Sequence, residues 1–108
     1  MRKMQAIVAI VLALTFTFAG AAKAGPVLDR ILKKGELVVG TSGDQPPLNA
    51  TTRDGKIIGL EADISSLMAS AMGVKLTLSK MPFAQLLPAL HEGKIDLILS
   101  GMTITPQR

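Results

Sequence analysis

The last eight residues of the chain hold the side chains best suited to binding an anion. Thr103 offers a hydroxyl group and Arg108 a guanidinium group. Thr105 and Pro106 favour a helix start between them, because threonine is a good N-cap and proline fits the first helical position. Free N–H groups at a helix start bind carboxylates, and a guanidinium group strengthens such binding. The segment therefore predicts an anion-binding corner; the alternative is that Arg108 is simply a solvated arginine.

Four other residues are candidates for the same site. Phe83 is the only aromatic residue after position 24, and it can pack in the core or against a ligand. Ser42 and Asp44 can contact a ligand amine or cap the turn in which they lie. Gly101 allows close approach to its backbone or relieves a tight turn. The residues alone leave both interpretations open at each position.

The sequence shows no pattern typical of a catalytic or metal site. It contains no cysteine and a single histidine, His91, which has no second metal-ligating residue at a useful spacing. The carboxylates of Glu61 and Asp63 are explained by a helix N-terminus, which favours acidic residues. No nucleophile–histidine or phosphate-loop pattern is present. We therefore predict no catalytic residue, no metal and no cofactor.

Residues 1–24 have the three parts of a secretory signal peptide. A basic start precedes an apolar run from Ala6 to Ala19, and small residues flank Lys23 at the expected cleavage site. The run is short for a membrane span. Cleavage after Ala24 would remove three basic and no acidic residues, which lowers the net charge from +4 to +1. We expect export to the periplasm, and a near-neutral chain with no basic cluster argues against a nucleic-acid partner.

Strands and helices alternate along residues 25–108, which form one small domain. Apolar runs predict strands, and apolar residues at helical spacing predict helices. Asp54-Gly55 is typical of a hairpin turn. In the second helix of this region, Ile64, Leu67, Met68, Ala71 and Met72 fall on one face, which we expect to be buried. The expected elements are a helix from 26 to 34, strands over 36–41, 74–80 and 95–99, a hairpin within 49–58, and helices over 60–72 and 82–92, with Pro88 near the first turn of the last.

This order predicts an α/β fold with a mostly parallel sheet, flanking helices and a small hairpin. Ligands of such sheets bind beyond the carboxyl ends of the strands. Ser42, Phe83, Gly101 and Thr103 all follow a strand closely. We therefore expect them to lie together at one edge of the sheet.

Four stretches resemble, in the same order, motifs of the bacterial extracellular solute-binding proteins of family 3, periplasmic proteins that bind amino acids for ABC importers. The stretches are residues 28–41, 54–63, 87–96 and 101–108. The resemblance implies a periplasmic-binding-protein-like fold of two lobes, of which residues 25–108 are the N-terminal one. It implies an amino acid or a small carboxylate as the ligand and a membrane ABC permease as the partner.

The resemblance also implies site residues. The position of Arg108 holds the ligand carboxylate in that family, and the positions of Thr103 and Gly101 help to hold the carboxylate and the amine. The position of Phe83 packs on the ligand side chain, and that of Ser42 is often a polar contact.

The second lobe and the hinge strands are absent from this sequence, so we expect weak binding by this chain alone, because a ligand held by one lobe stays partly in water. Two other functions are found on the same fold: a periplasmic cyclohexadienyl dehydratase and a ligand-sensing input domain. The sequence favours solute binding, since it offers no convincing acid–base pair.

Overall fold

The structure, a computed structural model, describes residues 1–16 and 25–108. Helices and strands alternate in it as predicted. Their order is α1 (Arg2–Phe16), α2 (Pro26–Lys34), β1 (Glu36–Thr41), β2 (Asp44–Gln45), β3 (Asn49–Thr51), β4 (Ile57–Ile58), α3 (Leu60–Met72), β5 (Lys75–Lys80), α4 (Phe83–His91) and β6 (Leu97–Ile98).

The helix α1 overlaps the basic start and most of the apolar run of the predicted signal peptide. The predicted cleavage site lies in residues 17–24, outside the described part of the chain. Within the described residues, no helix combines the length and the apolar character needed to cross a membrane.

A parallel sheet of three strands in the order β5-β1-β6 forms the centre of the domain. The central strand β1 pairs along its whole length with β5, from Glu36 opposite Lys75 to Thr41 opposite Lys80. Its apolar run predicts a strand covered on both faces. Leu37 and Val39 are buried on one face, and Val38, on the other face, packs against a buried cluster that includes Leu86. The predicted α/β architecture is confirmed.

Two apolar clusters cover the faces of this sheet. One joins α2, β1 and α3 around Ile31 and Val39, and the other joins α4 to Ile95 through Leu86. Gly40 makes the second contact possible, because a Cβ at this position would overlap the side chain of Ile95. The same Cβ would lie 3.0 Å from the Leu86 Cδ2 of α4, so a larger residue at position 40 would displace the ends of both side chains.

The segment predicted as a hairpin is part of a second, antiparallel sheet in the order β2-β3-β4. The hairpin itself is confirmed, but Asp44–Gln45, where no strand was expected, form the short strand β2. In the hairpin turn the Thr52 hydroxyl donates to the Asp54 carboxylate, and this bond holds the pKa of Asp54 below its usual value. The added strand matters because β2 carries Gln45 to the edge where β1 ends.

The predicted buried face of α3 is wrong. The helix buries its small residues Ala62, Ser65 and Ala69, whereas Leu67 is 72% exposed. Small side chains at this spacing let the helix lie close to the sheet, and they also turn Glu61 toward β3. The backbone of α3 therefore lies close to the sheet, and its larger apolar residues stay exposed.

The bounds of three elements also differ from the prediction. The strand β5 starts at Lys75 rather than Val74, and β6 is limited to Leu97–Ile98. The helix α4 spans Phe83–His91, and Pro88 is its sixth residue, beyond the first turn in which it was expected. The ends of α2 and α3 are as predicted, at glycines in the left-handed conformation that favours this residue.

Candidate functional site

The carboxyl ends of the three parallel strands meet at one edge, as the topology predicts. The N–H of Met81, just after β5, donates to the carbonyl of Thr41 at 3.1 Å. On the other side of β1, the Leu99 N–H donates to the Gly40 carbonyl at 3.1 Å. The segments that follow the strands therefore leave the sheet side by side, with Ser42 in the middle.

A shallow cleft of about 490 Å³ lies at this edge. Its lining includes the carboxylate residue Asp44 and the ammonium residue Lys80, together with Ser42, Met81 and Pro82. Both charged residues are exposed. Phe83 follows Pro82 as the first residue of α4, and its side chain is 37% exposed. The cleft therefore offers one group of each charge and has an aromatic residue next to it in sequence.

Ser42 is bonded within the protein rather than open to solvent, since the residue is only 4% exposed. Its N–H donates to the Ser100 Oγ at 3.0 Å, and its hydroxyl donates to the Gln45 Oε1 at 3.1 Å. The Ser100 hydroxyl lies 2.8 Å from the same Gln45 oxygen. Ser42 thus ties the end of β1 to β2 and to the end of β6.

The side-chain amide of Asn49 and the carboxylate of Glu61 extend these hydrogen bonds to α3. Asn49 is fully buried; its Nδ2 donates to the Glu61 Oε2 at 2.7 Å, and its Oδ1 accepts the Gln45 N–H at 3.2 Å. We call these connected polar side chains the strand-end network. It consists of Ser42, Gln45, Asn49, Glu61 and Ser100.

The backbone amide of Gly101, a residue predicted to help hold a ligand, already has a hydrogen-bond partner within the protein. It donates to the Glu61 Oε1 at 2.7 Å, so Glu61 does more than favour a helix dipole. Gly101 has a φ of +55°, and a Cβ there would lie 3.1 Å from the Leu48 Cδ1 and 3.3 Å from the Gln45 Nε2. The positive φ therefore favours glycine at this position, and a Cβ would press on the ends of two side chains.

The closing segment, residues 101–108, holds a single turn at the place where the sequence predicts a helix start. Thr105 to Arg108 close a single turn, in which the Arg108 N–H donates to the Thr105 carbonyl at 3.1 Å. An α-helical bond joins a carbonyl to the N–H four residues later, so these four residues make only the turn. Turns of this type are frequent where helices begin, so the helix start stays a prediction.

The structure does bring Thr103 and Arg108 together. Arg108 Nη1 donates to the carbonyl of Thr103 at 3.2 Å, and both residues are exposed. The remaining guanidinium N–H groups and the Thr103 hydroxyl have no hydrogen-bond partner in the described residues. Within the described residues, no hydrogen bond links Thr103 or Arg108 to Ser42 or Phe83.

Four residues of the strand-end network were not predicted as parts of the site: Gln45, Asn49, Glu61 and Ser100. The only local signal was a polar residue directly after an apolar strand, as at Ser100. The described residues hold no group of three or more histidine, cysteine, aspartate or glutamate side chains that fits a metal ion.

Comparisons with known proteins give the same family throughout the domain. A model of the family described as "Bacterial extracellular solute-binding proteins, family 3" matches residues 37–108. The arginine-binding extracellular protein ArtP of Bacillus subtilis (strain 168) is 36% identical over 75 residues, which cover 69% of this chain and 29% of ArtP. A cyclohexadienyl dehydratase of Pseudomonas aeruginosa is 32% identical over 81 residues, which cover 75% of this chain and 30% of that enzyme.

A solved structure shows the same fold in one domain of a similar protein. The arginine-bound form of domain 1 from TmArgBP superposes with a TM-score of 0.71 at 42% identity, covering 74% of this chain and 64% of that one. The chain spans less than a third of the length of the curated relatives named above.

Proposed function

Because this chain belongs to family 3 of the bacterial extracellular solute-binding proteins, we propose that residues 25–108 bind an amino acid where β1, β5 and β6 end. The fold is that of one lobe of a periplasmic-binding-protein-like protein, as the sequence predicted. Amino-acid binding agrees with the relatives, which include arginine-binding proteins.

The observation that carries the proposal is the set of free donors on the closing segment. Arg108 uses one nitrogen to hold the Thr103 carbonyl and keeps its other N–H groups for a ligand. A guanidinium–carboxylate contact is one of the strongest hydrogen-bonded pairs in proteins. Arg108 and the Thr103 hydroxyl would bind the ligand α-carboxylate, and Asp44 in the cleft would face its ammonium group.

The other predicted residues have distinct roles in this proposal. Phe83 would pack on the ligand side chain, since aromatic rings supply large apolar contact areas. Ser42 positions β2 through its bond to Gln45. At Gly101 the N–H is held by Glu61, so the carbonyl is the group left for the ligand amine.

The cellular role follows from the family. We propose export through a signal peptide at residues 1–24 and delivery of the bound amino acid to a membrane ABC permease. The arginine-bound form of domain 1 from TmArgBP supports binding at a first lobe. Ligand binding by residues 25–108 is therefore a direct test of the proposal. The binding is expected to be weak, because a ligand held by one lobe stays partly in water.

Isothermal titration of the full chain with L-arginine, L-cystine, L-glutamine and L-glutamate tests the proposal. We expect binding of at least one of them, and Arg108→Ala should weaken that binding by about tenfold or more because it removes a charge-assisted contact. The matched control is Arg53→Ala, which removes an exposed arginine in the hairpin turn and should leave affinity unchanged. Equal loss in both variants, or no binding by the unmodified chain, would contradict the proposal.

A dehydratase activity is the second candidate, because a cyclohexadienyl dehydratase is 32% identical to this chain. Its chemistry needs acid–base groups near the substrate, and the cleft offers only Asp44 and Lys80. Incubation of the chain with prephenate or arogenate, followed by detection of the aromatic product, distinguishes the two functions. Turnover would favour the enzyme over the binding protein.

A further inference from the structure

We infer that Gln45 contacts the ligand directly and donates its Nε2 hydrogens to an oxygen atom of the bound amino acid. This inference rests on the proposed function, since it adds a residue to the same site. Gln45 was not a predicted site residue, and its role follows from how its carboxamide is oriented.

The orientation starts at Glu61, because an ionised carboxylate only accepts hydrogen bonds. The Asn49 atom 2.7 Å from the Glu61 Oε2 must therefore be the donor nitrogen, Nδ2. The Asn49 Oδ1 then accepts the backbone N–H of Gln45 at 3.2 Å. Both ends of the Asn49 amide are thus assigned by partners that can act in only one way.

The Asn49 amide in turn orients the Gln45 carboxamide. Its Nδ2 also lies 3.4 Å from the Gln45 side chain, and only an oxygen can accept there. A flipped carboxamide would place two NH₂ groups against each other. The Gln45 Oε1 therefore points into the network, where the hydroxyls of Ser42 and Ser100 lie 3.1 Å and 2.8 Å from it.

The Gln45 Nε2 consequently points out of the network. It has no hydrogen-bond partner in the described part of the chain. It lies beside Gly101, because a Cβ on that glycine would be 3.3 Å away. Gly101 is exposed and begins the closing segment, so the donor is next to the residues proposed to hold the ligand.

Two N–H donors on a neutral, fixed carboxamide are complementary to a carboxylate or carbonyl oxygen. In an amino acid that oxygen belongs either to the α-carboxylate or to an oxygen-bearing side chain. A fixed donor favours binding because little side-chain freedom remains to be lost. Gln45 therefore favours ligands that place an acceptor oxygen beside its Nε2, whereas Asp44 favours ligands with a positively charged ammonium group.

Amide ¹H–¹⁵N spectra of the full chain test this without a substitution. Addition of L-arginine or L-glutamine should shift the Gln45 side-chain NH₂ signals together with the backbone signals of residues 101–103. The side-chain signals of the exposed Gln85 serve as the internal control and should not move. Gln45 signals that stay in place while those of 101–103 shift would overturn the inference and leave the proposed function standing. No shift at any residue would instead refute the proposed function.

The variant Gln45→Glu adds an affinity measurement, because it keeps one oxygen for the network and replaces the donor nitrogen. We expect about tenfold weaker binding, against no change for Gln85→Glu, which introduces the same charge on α4. If Gln45→Glu binds both L-arginine and L-glutamine more weakly, Gln45 contacts the α-carboxylate of the ligand. If only L-glutamine binds more weakly, Gln45 contacts the side chain of the ligand. Unchanged affinity for both ligands in a variant with an unchanged melting temperature would overturn the inference.

Discussion

The strand-end network and the closing segment meet at Ser100 and Gly101, yet they hold their polar groups in opposite ways. Ser100 is 1% exposed and bonds to Ser42 and Gln45, whereas Thr103 is exposed with a free hydroxyl. The network joins the end of β1 to β2, β3 and α3, and to Ser100, two residues after β6. The closing segment makes a turn and one arginine contact with its own backbone.

The difference separates positioning from binding. A polar group that is buried and bonded on all sides contributes to stability, because leaving it unpaired is costly. A polar group that is exposed and unpaired contributes little to stability and is free for a ligand. Gln45 and Gly101 lie at the boundary, since each has one group in the network and another that faces the closing segment.

The largest expected effect comes from removing the amide at the centre of the network. Asn49→Ala leaves the Gln45 N–H and one Glu61 oxygen without their partners in a buried place. We expect the free energy of unfolding to fall by about 2–3 kcal/mol, since each buried group left unpaired costs about 1–3 kcal/mol. Urea denaturation followed by circular dichroism measures this change.

The matched control for that variant is in the closing segment. Gln107→Ala removes an exposed carboxamide, and its effect on the free energy of unfolding should stay within about 0.5 kcal/mol. Similar losses for both variants would show that burial and bonding do not distinguish the two regions.

The same contrast explains what could be predicted from the sequence. The limits of β1 and α3 follow from apolar runs and terminal glycines, which are local signals. The bonds of Ser100 to Ser42 and of Gly101 to Glu61 join residues 58 and 40 positions apart, and no local pattern encodes them. The sequence therefore located the exposed donors Thr103 and Arg108 and missed the side chains that position their neighbours.

A second variant tests whether the network extends to Thr41. This residue is 2% exposed, and its Oγ1 has no hydrogen-bond partner in the residues that the structure describes. Thr41→Val should raise the free energy of unfolding by about 0.5–1 kcal/mol, because it replaces an unpaired hydroxyl by a methyl group of similar size.

The control for Thr41→Val is Thr51→Val, which removes a hydroxyl that donates to the Gly43 carbonyl at 2.8 Å. This variant should lose about 1 kcal/mol. A loss of stability in Thr41→Val comparable to that of Thr51→Val would show that the Thr41 hydroxyl is satisfied after all and belongs to the network.

The smallest effect on stability, and the sharpest contrast with the network, is expected at Thr103. Thr103→Ala keeps the carbonyl that Arg108 holds and removes a hydroxyl without a protein partner, so the free energy of unfolding should change by less than about 0.5 kcal/mol. Ser100→Ala, three residues earlier, should lose about 1–2 kcal/mol, since it strips the buried Ser42 N–H of its acceptor. Thr103→Ala should nevertheless change the affinity. Because the Thr103 hydroxyl is proposed to bind the ligand carboxylate, calorimetry should show that the variant binds L-arginine about threefold to tenfold more weakly than the unmodified chain. A Thr103→Ala variant that loses stability as Ser100→Ala does, without any loss of affinity, would assign Thr103 to the network and remove it from the binding site.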